Sequence, residues 1–268
     1  MTHWTALRSG PFEAIRKQWL LYAVLSSNNT EQIAMPPGFL AVLTQPSSSL
    51  SLADFHGWYE EEHIPLRLNH LHAFLSGARY EAIDETSPGE PGWLAMYEID
   101  DTSTFAAPSY TGLREKRSAR ETDVMRRLEV LVRWTGEDLG LWPREGAVPT
   151  TGLKIGQPSG FVVTHVLDGP DGEAVKTWAE QVAGGGKTVK GFVATRVVKV
   201  LEGGQTRMGA VVAPDQAKYF VIHEFESEED ADSEGLRKII SNTSGKVDKW
   251  RVWKLHKAYP CVAQGNAV

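Results

Sequence analysis

The spacing of apolar and polar positions divides most of the chain into two stretches with the same order of elements. Gly38–Thr44 (GFLAVLT) is the short, continuous apolar run of a buried strand, and a serine-rich loop separates it from a helix over about 52–68. Ala73–Ile83 (AFLSGARYEAI) and Trp93–Ile99 (WLAMYEI) read as strands on either side of the turn Ser87–Gly92 (SPGEPG), whose prolines and glycines can continue neither. A charged helical stretch over about 102–127 then leads into the strand Leu128–Trp134 (LEVLVRW). The order is β-α-β-β-α-β.

The same order returns in the second half. Gly160–Val166, a helix containing Trp178, Gly191–Leu201, Tyr219–Phe225, a helix over about 228–240 and Val247–Leu255 follow in turn. Single residues align too: Phe39 with Phe161, Trp58 with Trp178, Phe74 with Phe192, MYEI at 96–99 with IHEF at 222–225, and Arg133-Trp134 with Arg251 and Trp253. A β-α-β-β-α-β unit is the ferredoxin-like split βαβ, an antiparallel sheet with both helices on one face and the other face bare. Two bare faces laid together close into a barrel. The predicted fold is therefore α+β, with two ferredoxin-like repeats forming one barrel within a single chain. Its parts are an N-terminal helical extension (1–36), a first repeat (37–142), a linker (143–159) and a second repeat (160–268).

Composition narrows the classes. The 41% apolar content of 268 residues supplies a sizeable core, and a net charge of −6 argues against a phosphate backbone as the main partner. The only cysteine, Cys261, excludes an intrachain disulfide framework or a Cys-rich zinc site and fits a reducing, cytoplasmic setting. Trp19–Leu25 (WLLYAVL) is far shorter than the ~20 residues of a bilayer span, so 12–26 reads as an amphipathic helix packed on the body. Neither nucleic acid nor membrane is an expected partner, whereas a homodimer of fused barrels stays open.

Candidate chemistry gathers on the first helix, where His56, Tyr59, Glu60, His63 and Arg67 share one stripe at three- and four-residue spacings. His63 is the best acid/base candidate because an imidazole both takes and returns a proton near neutrality; the alternative is that it closes the helix before Pro65. The Tyr59 phenol can donate to a substrate oxygen. Trp58 is a pocket candidate as well, although its counterpart Trp178 sits in the half without the histidine, which favours an anchoring role. Tyr97 and His223 hold equivalent places in the third strand of each half and, with Tyr80 and Trp134, can face a cavity. Alternation separates Ala95, Tyr97 and Ile99 from Leu94, Met96 and Glu98 without saying which set points inward. No metal is expected: His70 and His72 follow His63 without a carboxylate in a ligand spacing. Gly184–Thr188 (GGGKT) lacks the first glycine and the preceding strand of a P-loop and reads as a turn, and the sign-alternating Arg114–Arg127 as a solvated face.

The segment Phe55–Leu66 (FHGWYEEEHIPL) resembles the EthD-like group of the dimeric α+β barrel superfamily. The first helix of that group carries an aromatic residue, a histidine four residues on, and then a proline; Tyr59, His63, Pro65 and Leu66 take those places. The resemblance covers about 38–140. The second half, whose helix over 175–184 (VKTWAEQVAG) has neither histidine nor proline, shares the element order alone. The resemblance implies a cofactor-independent enzyme of secondary metabolism acting through His63 on a hydrophobic, aromatic or polyketide-like substrate by dehydration, cyclisation or isomerisation. A cofactor-free monooxygenase is the alternative, and a non-catalytic ligand-binding or stress-response barrel the third reading. Haem-binding relatives carry a G-x-x-D-G signature; GPDG at 169–172 is one residue short of it, so no cofactor is expected.

Overall fold

The computed structural model describes residues 34–84, 87–148, 158–215, 217–231, 233–241 and 245–265; the helix expected over 12–26 lies outside them. The apolar runs of the first half become β1 (Gly38–Pro46), β2 (Phe74–Ala82), β3 (Trp93–Ile99) and β4 (Leu128–Pro143). Those of the second half become β5 (Phe161–Asp168), β6 (Phe192–Arg207), β8 (Tyr219–Phe225) and β9 (Lys246–Tyr259), with a short strand β7 (Ala210–Pro214) that the pattern did not announce. Pairing is antiparallel in the order β4-β1-β3-β2-β9-β5-β8-β6, with β7 added beside β6. Because β4 also pairs with β6, from Leu131↔Thr206 to Pro143↔Ala194, the eight main strands close into a barrel. Closure explains why β4 runs on to Pro143, well past the apolar run: its polar second half finds its ladder partner across the seam rather than in a core.

Each strand presents one face to the lumen and the other to helices. Phe39, Ala41, Tyr80, Leu94, Met96, Val132, Trp134, Val162, Phe220, Ile222 and Trp253 meet inside the barrel. Leu40, Val42, Ala95, Tyr97 and Ile99 pack outward with Phe55, Trp58, Tyr59, Ile64 and Leu68, and a matching outer core in the second half joins Val163, Val221 and Phe225 to Trp178, Val182, Leu236 and Ile240. The alternation left open by the sequence is thereby decided, with Met96 inward and Tyr97 outward. The ladders also correct one match. Leu40 lies opposite Tyr97 and Val163 opposite His223, and the same registers pair Phe39 with Glu98 and Val162 with Glu224. Phe39 therefore corresponds to Val162, not Phe161, whose ring packs on the outer core; a slip of one residue exchanges the two faces of a strand.

The helices depart from expectation at their breaks. The single helix expected over about 102–127 is a 3-10 turn (Thr102–Ala106) followed by α3 (Pro108–Glu115) and α4 (Ala119–Arg127), numbered after α1 (Leu52–Trp58) and α2 (Ile64–Leu68). Ser118 separates α3 from α4 by capping the latter, its Oγ accepting from Glu121 N at 2.9 Å. In the second half, α5 (Glu173–Gly186) runs into the GGG segment expected to be a turn, and the last helical stretch divides into α6 (Glu228–Ala231) and α7 (Glu234–Ser241). No described helix is long and apolar enough to cross a membrane.

Candidate functional site

Ser51 caps α1, accepting from Asp54 N at 3.1 Å. The helix continues through a π turn, Tyr59–His63, into α2, and Ile64 N donates to Tyr59 O, five residues back. Pro65 supplies the physical reason for a change of register here, since it has no N–H to give and its ring crowds the carbonyl of a regular turn. The wider turn also changes which side chains meet. In a regular α-helix, residues five apart diverge by about 140° at ~100° per residue. Here the rings of Trp58 and His63 lie 4.3 Å apart, with Tyr59 edge-on to His63 at 5.1 Å.

His63 is buried, with Nδ1 3.3 Å from Glu121 Oε1 and its carbonyl accepting from Arg67 Nη1 at 2.8 Å. Glu121, 3% exposed, comes from the first turn of α4, where the Ser118 cap holds its backbone, and Arg117 stands 3.9 Å away. Burial first, and then the cations Arg67, Arg79 and Arg117, hold the imidazole well below the ordinary histidine range. Burial raises Glu121, against the pull of Arg67 and Arg117. His63 is accordingly neutral at neutral pH. With Nδ1–H given to the Glu121 carboxylate, Nε2 is the acceptor nitrogen and has no hydrogen-bond partner among the described residues.

A cavity of about 80 Å³ adjoins this pair between the helices and the outer sheet face. Leu40, Val42, Met125 and Leu131 give it apolar walls, and Arg67, Arg114, Arg117 and Arg133 give it a cationic rim. Trp58 and Arg67 also line it, and the Nε of each is buried without a hydrogen-bond partner among the described residues. Behind Tyr59, the guanidinium of the fully buried Arg79 lies 3.9 Å from the ring centre and donates to His56 Nδ1 at 3.0 Å. Burial, Arg79 and a stacked His256 lower His56 to about 4. This cluster, with Glu60 accepting from Tyr259, ties α1 and its π turn to β9.

Of the residues singled out from the sequence, Trp58, Tyr59 and His63 come together around the cavity. The other four do not join them. Tyr97 lies on the same sheet face but packs edge-on against Phe74, outside the cavity wall, and burial pushes its hydroxyl far up. Tyr80 and Trp134 point into the lumen, on the opposite side of the sheet. His223 belongs to the second half, hydrogen-bonded to His165 and Thr195. Arg67, from the stripe that the spacing marked on the first helix, lines the cavity too, whereas Glu121, Arg114, Arg117 and Arg133 complete the site and were not predicted as part of it. Arg114, Arg117 and Glu121 come from the stretch read as a solvated face, although S-x-x-E at 118–121 is a capping-box spacing that marks Glu121 as the start of a helix. His70 and His72 are exposed, and no three His, Cys, Asp or Glu side chains among the described residues gather as a metal site.

No protein-family model matches the chain, and no curated protein matches it in sequence. Among solved structures, an anthrone oxidase-like protein superposes with a TM-score of 0.55 at 11% identity, over 87% of this chain and 96% of that one. A monooxygenase-like protein of Lactobacillus acidophilus gives 0.46 at 10%, over 87% and 99%, and a chlorite dismutase-like protein 0.49 at 10%, over 86% and 97%. At these identities the likeness is one of fold, and these neighbours belong to the dimeric α+β barrel superfamily. The chain has that superfamily's fold, an α+β architecture around a closed eight-stranded antiparallel barrel, built here within one polypeptide.

Proposed function

We propose that this protein is a cofactor-independent enzyme that removes and returns a proton on a hydrophobic, aromatic or polyketide-like substrate, with His63 as the base. The observation carrying this reading is a neutral imidazole beside a cavity with a cationic rim, fixed by Glu121 through Nδ1 and without a partner at Nε2 among the described residues. A base must be unprotonated at working pH, and a proton taken from carbon next to a carbonyl leaves an enolate whose charge needs donors. Arg67 Nε and Trp58 Nε1, both unpaired among the described residues, supply them. Return of the proton to another carbon isomerises the substrate; return to a hydroxyl expels water, and attack of the enolate carbon on a second carbonyl closes a ring. The cavity is smaller than the ~300–1,000 Å³ usual for small-molecule sites, so a ring enters as the exposed Arg114 and Arg117, at the corner between α3 and α4, swing aside.

We read the two halves as tandem ferredoxin-like copies of an EthD-like unit, supported by the strand order β4-β1-β3-β2 recurring as β9-β5-β8-β6. In this reading the second copy has lost the base, since Ala183 stands five residues after Trp178 where His63 stands five after Trp58.

A second reading follows from the same deprotonation. An anthrone, the compound class for which the anthrone oxidase-like neighbour is named, has acidic C–H groups beside an aromatic ketone system, and its anion can pass an electron to oxygen. Oxygen uptake that tracks product formation separates this oxygenase from the proton-only enzyme. For either, His63→Ala should lower turnover ~10²- to 10⁴-fold while far-UV circular dichroism and Tm stay near wild type. Turnover within a few-fold of wild type would leave His63 without a catalytic role.

A further inference from the structure

The barrel lumen is packed at one end and open at the other. At the packed end Arg196 bridges Glu98 and Asp138 at 2.6 Å each, Ser159 Oγ donates to Glu224 at 2.6 Å, and Tyr80 Oη donates to Ser159 O at 3.1 Å. At the other end, where β1, β2 and β5 finish and β4, β8 and β9 begin, the lumen holds a cavity of about 430 Å³. An eight-stranded barrel is just wide enough either to be filled by its own side chains or to hold one small ligand. This volume falls within the ~300–1,000 Å³ range of small-molecule sites and is several times that of the cavity beside His63.

The apolar walls are Leu43, Val130, Val132, Val166 and Phe220, with the Trp134 ring tilted at 41° against Phe220, 5.0 Å between centres. Trp134 is 2% exposed, and its Nε1–H has no hydrogen-bond partner among the described residues. Native interiors rarely leave such a donor unmatched. The cations at the mouth are already neutralised: Arg251 is held by both oxygens of Asp84, and Lys249, in a left-handed backbone conformation at φ 53°, pairs with Asp215 at 2.6 Å. Among the described residues lining the open end both cations are thus paired, and the one carboxylate without an ion-pair partner, the exposed Glu90, repels an anion rather than attracting one. One strand walls both cavities, since Val132 and Trp134 of β4 face the lumen and Leu131 and Arg133 face the cavity of His63.

We infer that the open end of the lumen is a second small-molecule site, separate from that of His63, for a neutral, planar, apolar molecule with one hydrogen-bond acceptor directed at Trp134 Nε1. The test uses the full chain and three probes of one size: 2-acetylnaphthalene, neutral with an acceptor; 2-ethylnaphthalene, neutral without one; and 2-naphthoate, an anion. Calorimetry should show the ketone binding about three- to tenfold more tightly than the hydrocarbon, with the carboxylate weakest. In ¹⁵N-indole NMR spectra the Trp134 resonance, assigned by its loss in Trp134→Phe, should move on addition of the ketone. Trp134→Phe should abolish the preference for the ketone, and Val132→Phe, which fills the lumen, should weaken binding at least tenfold. Leu131→Trp, which fills the cavity of His63, should leave affinity unchanged. No ketone binding at its solubility limit would overturn the inference, as would binding that survives both lumen variants or is lost only in Leu131→Trp. If Val132→Phe fails to fold, the Trp134 resonance and the Trp134→Phe preference decide.

Discussion

Acid should destabilise the second half through one buried pair of histidines, and the size of the effect follows from geometry. His165 Nδ1 lies 3.3 Å from Val166 O, His165 Nε2 lies 3.0 Å from His223 Nε2, and His223 Nδ1 lies 2.9 Å from Thr195 Oγ1. Only one assignment satisfies every atom: the Thr195 hydroxyl donates to His223 Nδ1, His223 Nε2–H donates to His165, and His165 Nδ1–H donates to the carbonyl. A further proton on either ring sets N–H against a donor, in a place with no exposed surface. Burial lowers His165 to about 4 and holds His223 well below its ordinary range. Below pH 6.5 the unfolded chain therefore binds a proton that the folded chain refuses, and stability falls with pH until the folded imidazole titrates near 4. Between pH 7 and 5 this costs about 2 kcal/mol for His165 alone, at ~1.4 kcal/mol per unit. Guanidinium unfolding at both pH values, on wild type and His165→Gln, isolates the effect, because other buried histidines such as His63 contribute equally to both proteins. The loss between pH 7 and 5 should be about 2 kcal/mol smaller in the variant. An equal loss in the two proteins would refute the neutral relay.

Three further outcomes follow from particular contacts. Arg67→Met removes a guanidinium that depresses His63, so an NMR titration should show its imidazole midpoint moving up; an unchanged midpoint would mean that Arg67 does not act on it. Gly186→Ala places a Cβ 2.4 Å from the Phe192 ring, and thermal melting should show a loss of about 1–3 kcal/mol from overpacking, whereas an unaltered Tm would contradict the close approach of α5 to β6. Arg196→Met leaves Glu98 and Asp138 facing each other without their shared cation, and urea unfolding should show a loss of about 3–5 kcal/mol, with under 1 kcal/mol marking the network as dispensable.

Much of the architecture was legible because the strands are buried on both faces. Trp93–Ile99 and Tyr219–Phe225, apolar but for Glu98 in the one and His223 and Glu224 in the other, read as strands and match β3 and β8 residue for residue. Where a strand is held by pairing rather than by burial, the signal vanished. The polar stretch of β4 beyond Trp134 and the short β7 exist because a neighbouring strand offers hydrogen bonds, a cause no local pattern records. The site was half legible. Tyr59, His63 and Arg67 stood out by spacing, whereas the repetition of Trp58 as Trp178 pointed to an anchor, and Glu121, Arg114 and Arg117 looked like any solvated charge run until α4 packed beside α1. The π turn was equally hidden, although it alone brings Trp58 to His63, since its trace in the sequence is a single proline at 65.

The linear order of residues determined the order of the eight main strands, their alternation of faces, and the placing of His56 and His63 on the helix of the first half with none on its counterpart in the second. Those properties are local, set by side-chain volume, period and backbone chemistry within a few residues. Tertiary structure decided which face of each strand looks into the lumen, which carboxylate meets His63, and that Tyr80 and Trp134 stand on the opposite side of the sheet from the base. These depend on closing β4 onto β6 and β2 onto β9, contacts between segments far apart in the chain, where one residue of register exchanges the inside of the barrel for the outside.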